Sequence, residues 1–372
     1  HCARKRRRST KSKIKVGFIS TYFWNHSVGT VTNGIIANLP RGSLSITMFF
    51  AQTKWDEYSA FAERHADKAI KVPLNLAAAR EVIAEEELDI LVYTDIGVAP
   101  FTYFLAFSRL APVQCTMHGS PVTTGISTID YFISSEFLEA DDSDEQYSET
   151  LVRLKGLPYY YSRPSLPAVP KNKADLGLPE TGTLYVCPMM LFKIHPSFDE
   201  AVAAILRRDP SAKFILFQDK RTLALHEALL ARYRKTMPDV TDRIIFLPFA
   251  SKEDFLSILM QCDVALDNFG LSGGTTVLQI LATGLPIVTK PSQTSRGRWT
   301  YTFYKTMDLM DCVASSLDEY VDLAVRLGTD QVFHDRIKSK ILKRNGAVFE
   351  NPEMLDAMAA FFNNPSVFDR KT

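Results

Sequence analysis

The segment Asp267-Asn-Phe-Gly-Leu-Ser-Gly-Gly-Thr-Thr-Val-Leu-Gln279 carries the strongest chemical signal in the sequence. It reads as a strand end, a glycine-rich turn and a helix start. Gly273 and Gly274 let the backbone come close to a ligand. The open amides and partial positive charge of a helix start favour a phosphate there. Thr275 and Thr276 add hydroxyl donors at the same point, and Gln279 follows one turn later. No lysine follows the glycines, so this is not a P-loop, and the spacing is not GxGxxG either. A tight turn with an ordinary helix cap is the competing reading.

Lys193 lies in Leu191-Phe-Lys-Ile-His-Pro-Ser197, just past a strongly apolar stretch, and Pro196 suits the first turn of a following helix. A lysine so placed can neutralise a diphosphate as it departs from a sugar. Charge builds on that leaving group, so the contact is worth more in the transition state than in the ground state. The plain alternative is a lysine whose stem packs while its ammonium meets water. Lys252 sits in Ser251-Lys-Glu-Asp254, a capping-box pattern that accounts for Ser251 and Asp254 but not for the lysine.

In the first half, Trp24-Asn-His-Ser-Val-Gly29 follows an apolar strand. A neutral His26 there can take a proton from an acceptor hydroxyl or orient it, although a lone histidine can equally be structural. Asp95, just past the apolar run 91–94, is a second candidate base. His118-Gly-Ser-Pro-Val-Thr-Thr-Gly125, with Gly119 and Pro121, is a glycine-bearing loop that can wrap a sugar or diphosphate, or is a plain turn. Asp142-Ser-Asp144 has the DxD form of metal-dependent sugar transfer, but it lies in the acidic run 139–145 with no apolar strand beside it and reads as a solvated loop. The helix-spaced aromatics at 101–107, Tyr103 among them, read as core.

Short apolar runs alternate with helical patterns almost throughout. The spacing predicts strands at 14–20, 45–50, 90–93, 113–117 and 131–134, with helices at 31–39 and 76–87. Pro158, Pro164, Pro167 and Pro170, interleaved with Tyr159, Tyr160 and Tyr161, then stop both helix and strand and mark a linker. Strands follow at 183–190, 213–218, 243–248, 264–269 and 286–289, with helices at 197–208, 223–233, 251–260 and 275–282. This is the rhythm of parallel sheets covered on both faces. Two such halves imply a cleft, and ligands of open parallel sheets sit outside the carboxyl ends of the strands. The expected division is a basic disordered tail at 1–13, Rossmann-like domains at 14–157 and 173–345, a linker at 158–172, and a C-terminal helix and tail at 346–372.

A length of 372 residues suits two domains, and 46% hydrophobic with 23% charged residues is ordinary globular composition. The formal net charge of +1 gives no global grip on nucleic acid. The run around Lys5-Arg6-Arg7-Arg8 reads as a solvated tail, with a targeting signal or an acidic-surface anchor as the other reading. Five cysteines are dispersed, none in a CxxC pair or at metal-ligand spacing from a histidine; four of them lie in or beside apolar runs, read as reduced core residues and point to a cytoplasmic or nuclear compartment. No signal-peptide pattern and no apolar stretch of the ~18 residues a membrane span needs is found. Because it opens on His1 and not on Met, the chain is expected to be cut from a longer one.

In order along the chain, Val16-Gly-Phe-Ile-Ser with Asn25 and His26, Leu110-Ala-Pro-Val-Gln114, Gly119-Ser-Pro-Val-Thr-Thr-Gly125, Asp130-Tyr-Phe-Ile, Gln146-Tyr-Ser-Glu149, Phe192-Lys-Ile-His-Pro196, Arg243-Ile-Ile-Phe, Gly274-Thr-Thr276 and Leu327-Gly-Thr-Asp330 resemble glycosyltransferase family 41. These are the O-linked N-acetylglucosamine transferases and their SPINDLY-like relatives, and the chain looks closest to the microbial branch, often preceded by tetratricopeptide repeats. The resemblance implies an α/β GT-B fold, two Rossmann-like domains facing across a cleft, the first on the acceptor side and the second binding a UDP-sugar. It implies transfer of a sugar, N-acetylglucosamine foremost, to a Ser or Thr hydroxyl of a protein, with inversion and without a metal or other cofactor. Residue by residue, Lys193 resembles the family lysine on the donor diphosphate, Lys252 the residue near the uracil, and Thr275 and Thr276 the phosphate-binding threonines. His26 matches a histidine of the first βα turn, and Gly119 and Pro121 match the donor-side loop. Gly274 stands where the animal enzymes have His, Gln279 where the family has an acid for the ribose, and Met190 where the animal enzymes have Gln. Gln279 and Met190 motivate a rival reading, a UDP-sugar-binding or protein-interaction module without turnover. A sugar-nucleotide epimerase of the same architecture is a third reading, against which the motif order speaks.

Overall fold

The structure is a computed structural model that describes residues 12–117 and 119–368. Cys2, the basic run around Lys5-Arg6-Arg7-Arg8, and His118 of the glycine-bearing loop lie outside the described residues. The chain divides into two compact units, 1–162 with 349–372, and 163–348.

In the first unit, β1 (Ile14–Ser20), α1 (Ser27–Asn38), β2 (Leu44–Phe50), α2 (Glu57–His65), β3 (Lys68–Lys71), α3 (Leu76–Ala84), β4 (Ile90–Tyr93), α4 (Pro100–Ala106), β5 (Val113–Met117), β6 (Tyr131–Ser135) and β7 (Thr150–Leu154) follow one another. Among the described residues the strands make one sheet in the order β3-β2-β1-β4-β5-β6-β7. All pairings are parallel, with Val16 beside both Ile46 and Ile90. Side chains alternate across it as a strand requires. Val16, Phe18, Ile46, Met48, Ile90 and Val92 face one core with Ile35 and Ile36 of α1. Ile19, Phe49, Leu91 and Tyr93 face the other with Ile83 of α3 and Leu105 of α4. The C-terminal helix Glu353–Asn363 closes the first core with Met354, Met358 and Phe362, whose ring stands edge-on to Phe18 at 6.3 Å between centroids.

Two readings of this unit are corrected. The helix placed at 31–39 begins at Ser27, because the side chain of His26 caps it. The aromatics at 101–107 are not all core: Phe104 and Phe107 are each 54% exposed. α4 buries Thr102, Leu105 and Ala106, one face at i, i+3, i+4, which leaves positions 104 and 107 outward.

The second unit contains β8 (Leu184–Val186), α5 (Phe198–Arg208), β9 (Lys213–Gln218), α6 (Leu223–Thr236), β10 (Ile244–Pro248), α7 (Lys252–Gln261), β11 (Val264–Leu266), α8 (Thr275–Thr283), β12 (Ile287–Val288), α9 (Trp299–Thr306), α10 (Leu317–Thr329) and α11 (Gln331–Arg344). Its described strands form a parallel sheet in the order β10-β9-β8-β11-β12. The strand expected at 183–190 is cut to three residues. Cys187 still donates its amide to Ile215 O at 3.0 Å, but Pro188 has no amide to offer, and the chain turns into a 3-10 turn over Leu191–Lys193. Cys115, Cys187, Cys262 and Cys312 are buried free thiols, as reduced core residues should be. Among the described residues no helix is long and apolar enough to cross a membrane.

Both sheets wind the same way. In the second, the chain runs from β8 outward to β9 and β10, then returns with β11 on the other flank of β8. The loops leaving β8 and β11 therefore part company at the carboxyl edge, the place where such sheets bind ligands. In the first, β1 and β4 stand in the same relation.

Candidate active site

At the β8/β11 switch point, the loop after β8 carries Lys193 and the loop after β11 runs through the glycines to α8. Lys193 closes the 3-10 turn, its amide donating to Met190 O at 2.8 Å. Burial pulls its ammonium below the ordinary lysine value. Among the described residues no carboxylate pairs with it, and Nζ lies 5.8 Å from the ring centre of Phe192. A half-buried cation without an internal counter-ion is suited to an anionic ligand.

Gly274 is the N-cap of α8 and offers no side-chain acceptor to the first-turn amides. A Cβ built at Gly274 meets nothing within 4 Å, so open space lies beside the helix start. Thr275, Thr276 and Gln279 are part-exposed while Val277, Leu278, Ile280 and Leu281 are buried, which places the three polar residues on the open face of α8. Lys252, at the start of α7 beyond β10, is exposed on the same carboxyl edge, and Ser251 Oγ accepts the Asp254 amide at 3.1 Å as the capping pattern foretold.

Two residues that sequence reasoning gave no role hold this edge together. Asn268 Nδ2 donates to Lys193 O at 2.6 Å, and its Oδ1 accepts the His195 amide at 3.0 Å, so it ties the lysine loop to the glycine loop. Asp267, 3% exposed, lies beneath the glycine turn. It accepts from Ser272 Oγ at 2.7 Å, Thr289 Oγ1 at 2.8 Å and the Gly273 amide at 3.4 Å. Burial pushes its carboxyl up to about 6, against the pull of those donors. An acid and an amide at the end of a short, fully buried strand were the available signal.

In the first unit, His26 Nδ1 accepts the Val28 amide at 3.3 Å and the ring stacks on Tyr22 at 4.2 Å. Burial, and then the charge of Lys54, lower its pKa, so the ring is held neutral. With Nδ1 accepting, the proton of a neutral ring resides on Nε2. Asp95 is fully buried at the end of β4 and accepts from the Thr21 amide at 2.8 Å, Thr21 Oγ1 at 2.7 Å and Ser20 Oγ at 3.2 Å. It braces the loop leading to His26, and burial raises its pKa. Gly119 is required for close approach: a Cβ there would fall 2.0 Å from Thr94 O. The loop holding Gly119 and Pro121 is tethered by buried Glu149, which accepts from Thr123 Oγ1 and the Thr124 amide, each at 2.8 Å. So His26, Asp95, Gly119 and Pro121 gather at one edge of their unit, and Lys193, Lys252, Gly274, Thr275, Thr276 and Gln279 at one edge of theirs. Asp144 of the acidic run is an exposed partner of Arg153, at 2.6 Å, but the run is not solvated throughout: Glu139 and Ser143 are buried, with Glu139 accepting from Ser134 Oγ at 2.6 Å.

A model of glycosyl transferase family 41 matches residues 165–353. The chain is 24% identical over 331 residues to a probable UDP-N-acetylglucosamine–peptide N-acetylglucosaminyltransferase SEC of Arabidopsis thaliana, covering 86% of this chain and 33% of that protein. It is 27% identical over 292 residues to a UDP-glucose:protein N-β-glucosyltransferase of Actinobacillus pleuropneumoniae, covering 77% of this chain and 46% of that protein. The chain thus spans about a third to a half of the length of these relatives. Among solved structures it is similar to a Thermobaculum terrenum O-GlcNAc transferase variant in which a lysine is replaced by methionine, with a TM-score of 0.83, 25% identity, and coverage of 96% of this chain and 69% of that one. The fold class is α/β GT-B.

Proposed function

This chain belongs to glycosyl transferase family 41, and from that premise we propose that it moves N-acetylglucosamine from a UDP-sugar to a Ser or Thr hydroxyl of a protein acceptor, with inversion and without a metal. The observation that carries the proposal is the pairing of Lys193 with the helix start near Thr275 at one switch point, tied by Asn268. Lys193 and the α8 amides stabilise the UDP that departs as the acceptor oxygen attacks the anomeric carbon in line; the acceptor O–H breaks as the new C–O bond forms, and its proton passes to the departing diphosphate or to water, because Nδ1 of His26 is already taken by the Val28 amide. Thr275 and Thr276 give their hydroxyls to the diphosphate, Lys252 serves the uracil, and Gln279 accepts from a ribose hydroxyl without charge. Gly119 and Pro121 shape the donor-side loop. His26, neutral and protonated on Nε2, orients the acceptor, and Asp95 braces its loop. The names of the similar SEC protein and of the similar bacterial transferase support a nucleotide-sugar donor and a protein acceptor.

The test is Lys193→Met, assayed for sugar transfer from UDP-N-acetylglucosamine to a peptide panel. Transfer is expected to fall by about 10²–10³ or more, with circular dichroism unchanged; full activity would remove the mechanism. A second reading, a module that holds a UDP-sugar without turnover, draws on Gln279 in place of an acid on the open face of α8. Calorimetric UDP binding with no consumption of UDP-sugar across the panel would favour it.

A further inference from the structure

Lys193 can act at once on a building charge only if the backbone around it is fixed beforehand. One side is held by Asn268. The other is held from α6. Both terminal nitrogens of Arg232 donate to Ile194 O, the carbonyl next along from Lys193, at 3.3 Å each. Arg232 is itself held by a bidentate pair with Asp199 of α5, Nε to Oδ2 at 2.9 Å and Nη2 to Oδ1 at 2.8 Å. The Thr236 hydroxyl lies between two acceptors, Arg232 O at 3.1 Å and Asp199 Oδ2 at 3.2 Å. The Asp199 side chain is 4% exposed and that of Arg232 27%.

Stability alone is a weak reason for such a pair. Taking both charges out of water offsets most of their attraction, and an apolar pair of the same volume does as well. What the pair achieves is orientation. Once the carboxylate has taken two of the guanidinium's five donors, the planar fork has one position left, and two of the three remaining donors fall on Ile194 O. An ammonium at 232 could meet Asp199 but not span to the carbonyl in that way.

We propose that Arg232, oriented by Asp199, is a positioning residue for Lys193, fixing the adjoining carbonyl so that the ammonium is in place before the diphosphate begins to leave. This rests on the reading of Lys193 given above.

The test is a double-mutant cycle read by UDP calorimetry and by transfer kinetics, on wild type, Arg232→Lys, Lys193→Met and the double variant. In the wild-type background Arg232→Lys is expected to weaken UDP about tenfold (~1.4 kcal/mol) and to lower kcat more than it raises KM. In the Lys193→Met background the same change is expected to leave the UDP Kd within about twofold. Equal losses in both backgrounds would show that Arg232 supports the unit generally, and would overturn the proposal. So would an unchanged Kd and kcat in the single variant. If Arg232→Lys does not fold, Asp199→Asn keeps the shape at 199 and removes the charge that orients Arg232; the cycle then predicts a loss of about fivefold or more in UDP affinity with Lys193 present and less than about twofold without it, and equal losses or no loss in the two backgrounds overturn the proposal. Failure of the wild type to bind UDP would remove the reading of Lys193 and this inference together, whereas an inert Lys193→Met with an undiminished Arg232→Lys removes this inference alone.

Discussion

Replacing Asp267 by asparagine is expected to stabilise the second unit at neutral pH while weakening its hold on UDP. The carboxyl is fully buried, and burial raises its pKa from the ordinary 3.8 to about 6. A raised acid pKa means that the fold prefers the neutral form. The preference contributes stability that is fully present below about 3.8, and that stability is lost as the pH rises through about 6. At ~1.4 kcal/mol per pH unit the whole difference is about 3 kcal/mol, of which about 2 kcal/mol develops between pH 4.5 and 7.5. Asparagine imitates the neutral acid and carries no such dependence. Wild type and Asp267→Asn should therefore lie close together near pH 4 and separate as the pH rises, the variant ending the more stable. Trp299, buried on α9, reports on this unit by fluorescence in urea once Trp24 and Trp55 are Phe. The carboxylate accepts from Ser272, Thr289 and Gly273 together, whereas an amide has one acceptor oxygen and turns a donor toward the rest. The glycine turn should loosen and UDP affinity should fall. A stability difference independent of pH, or a variant less stable than wild type at pH 7.5, would refute the reasoning.

Three further outcomes follow from the same geometry. His26→Asn keeps an N-cap acceptor and loses the ring, whereas His26→Ala loses both; urea unfolding should show a cost of about 1 kcal/mol for Ala alone, with transfer lost in both, and recovered transfer in Asn would reduce His26 to a cap. Gly119→Ala puts a methyl 2.0 Å from Thr94 O and 2.9 Å from Asp95 Cα, both backbone, so the loop must move; a loss of about 1–3 kcal/mol in urea unfolding and impaired transfer are expected, and an unchanged midpoint would contradict the close approach. Burial lowers the Lys193 pKa, so its charged form is lost earlier as the pH rises, and kcat/KM should fall on the alkaline side below the ordinary lysine value of 10.5; Lys193→Arg should move that limb upward, and a limb that stays put belongs to another group.

The strands buried on both faces were legible because each is a bounded apolar run: β4 at Ile90–Tyr93, β5 at Val113–Met117 and β9 at Lys213–Gln218 fall where the sequence places them. β3, Lys-Ala-Ile-Lys, escaped because it is an edge strand with both lysines in water, the device that blunts an edge and also removes the apolar signal. The start of α1 was misplaced because Gly29 is a poor helix former; it is there because a Cβ would fall 2.3 Å from Trp24 O. The lysine, glycines and threonines of the second unit could be placed at the carboxyl edge of their sheet from type and position after a strand. Asn268, Asp199 and Arg232 could not, since their work lies in contacts spanning 75, 33 and 38 residues, which no local pattern records.

The second unit holds two polar arrangements beneath its loops. One is an acid whose burial costs more than its hydrogen bonds return near neutrality, and the other is an ion pair whose spare donors end on a single carbonyl. Both lie under the loops that carry the candidate diphosphate contacts, not under the open face of α8 where Gln279 sits. The distinction bears on the choice between a transferase and a holding module. A ribose gains no charge as the glycosidic bond breaks, so if Gln279 meets the ribose as proposed, its neutrality weakens ground state and transition state alike and affects affinity. The diphosphate does gain charge, and donors fixed in advance at that point lower the barrier because they need no reorganisation when it develops. On the proposed reading, rigidity concentrated at the leaving group with economy at the ribose is the distribution that turnover requires.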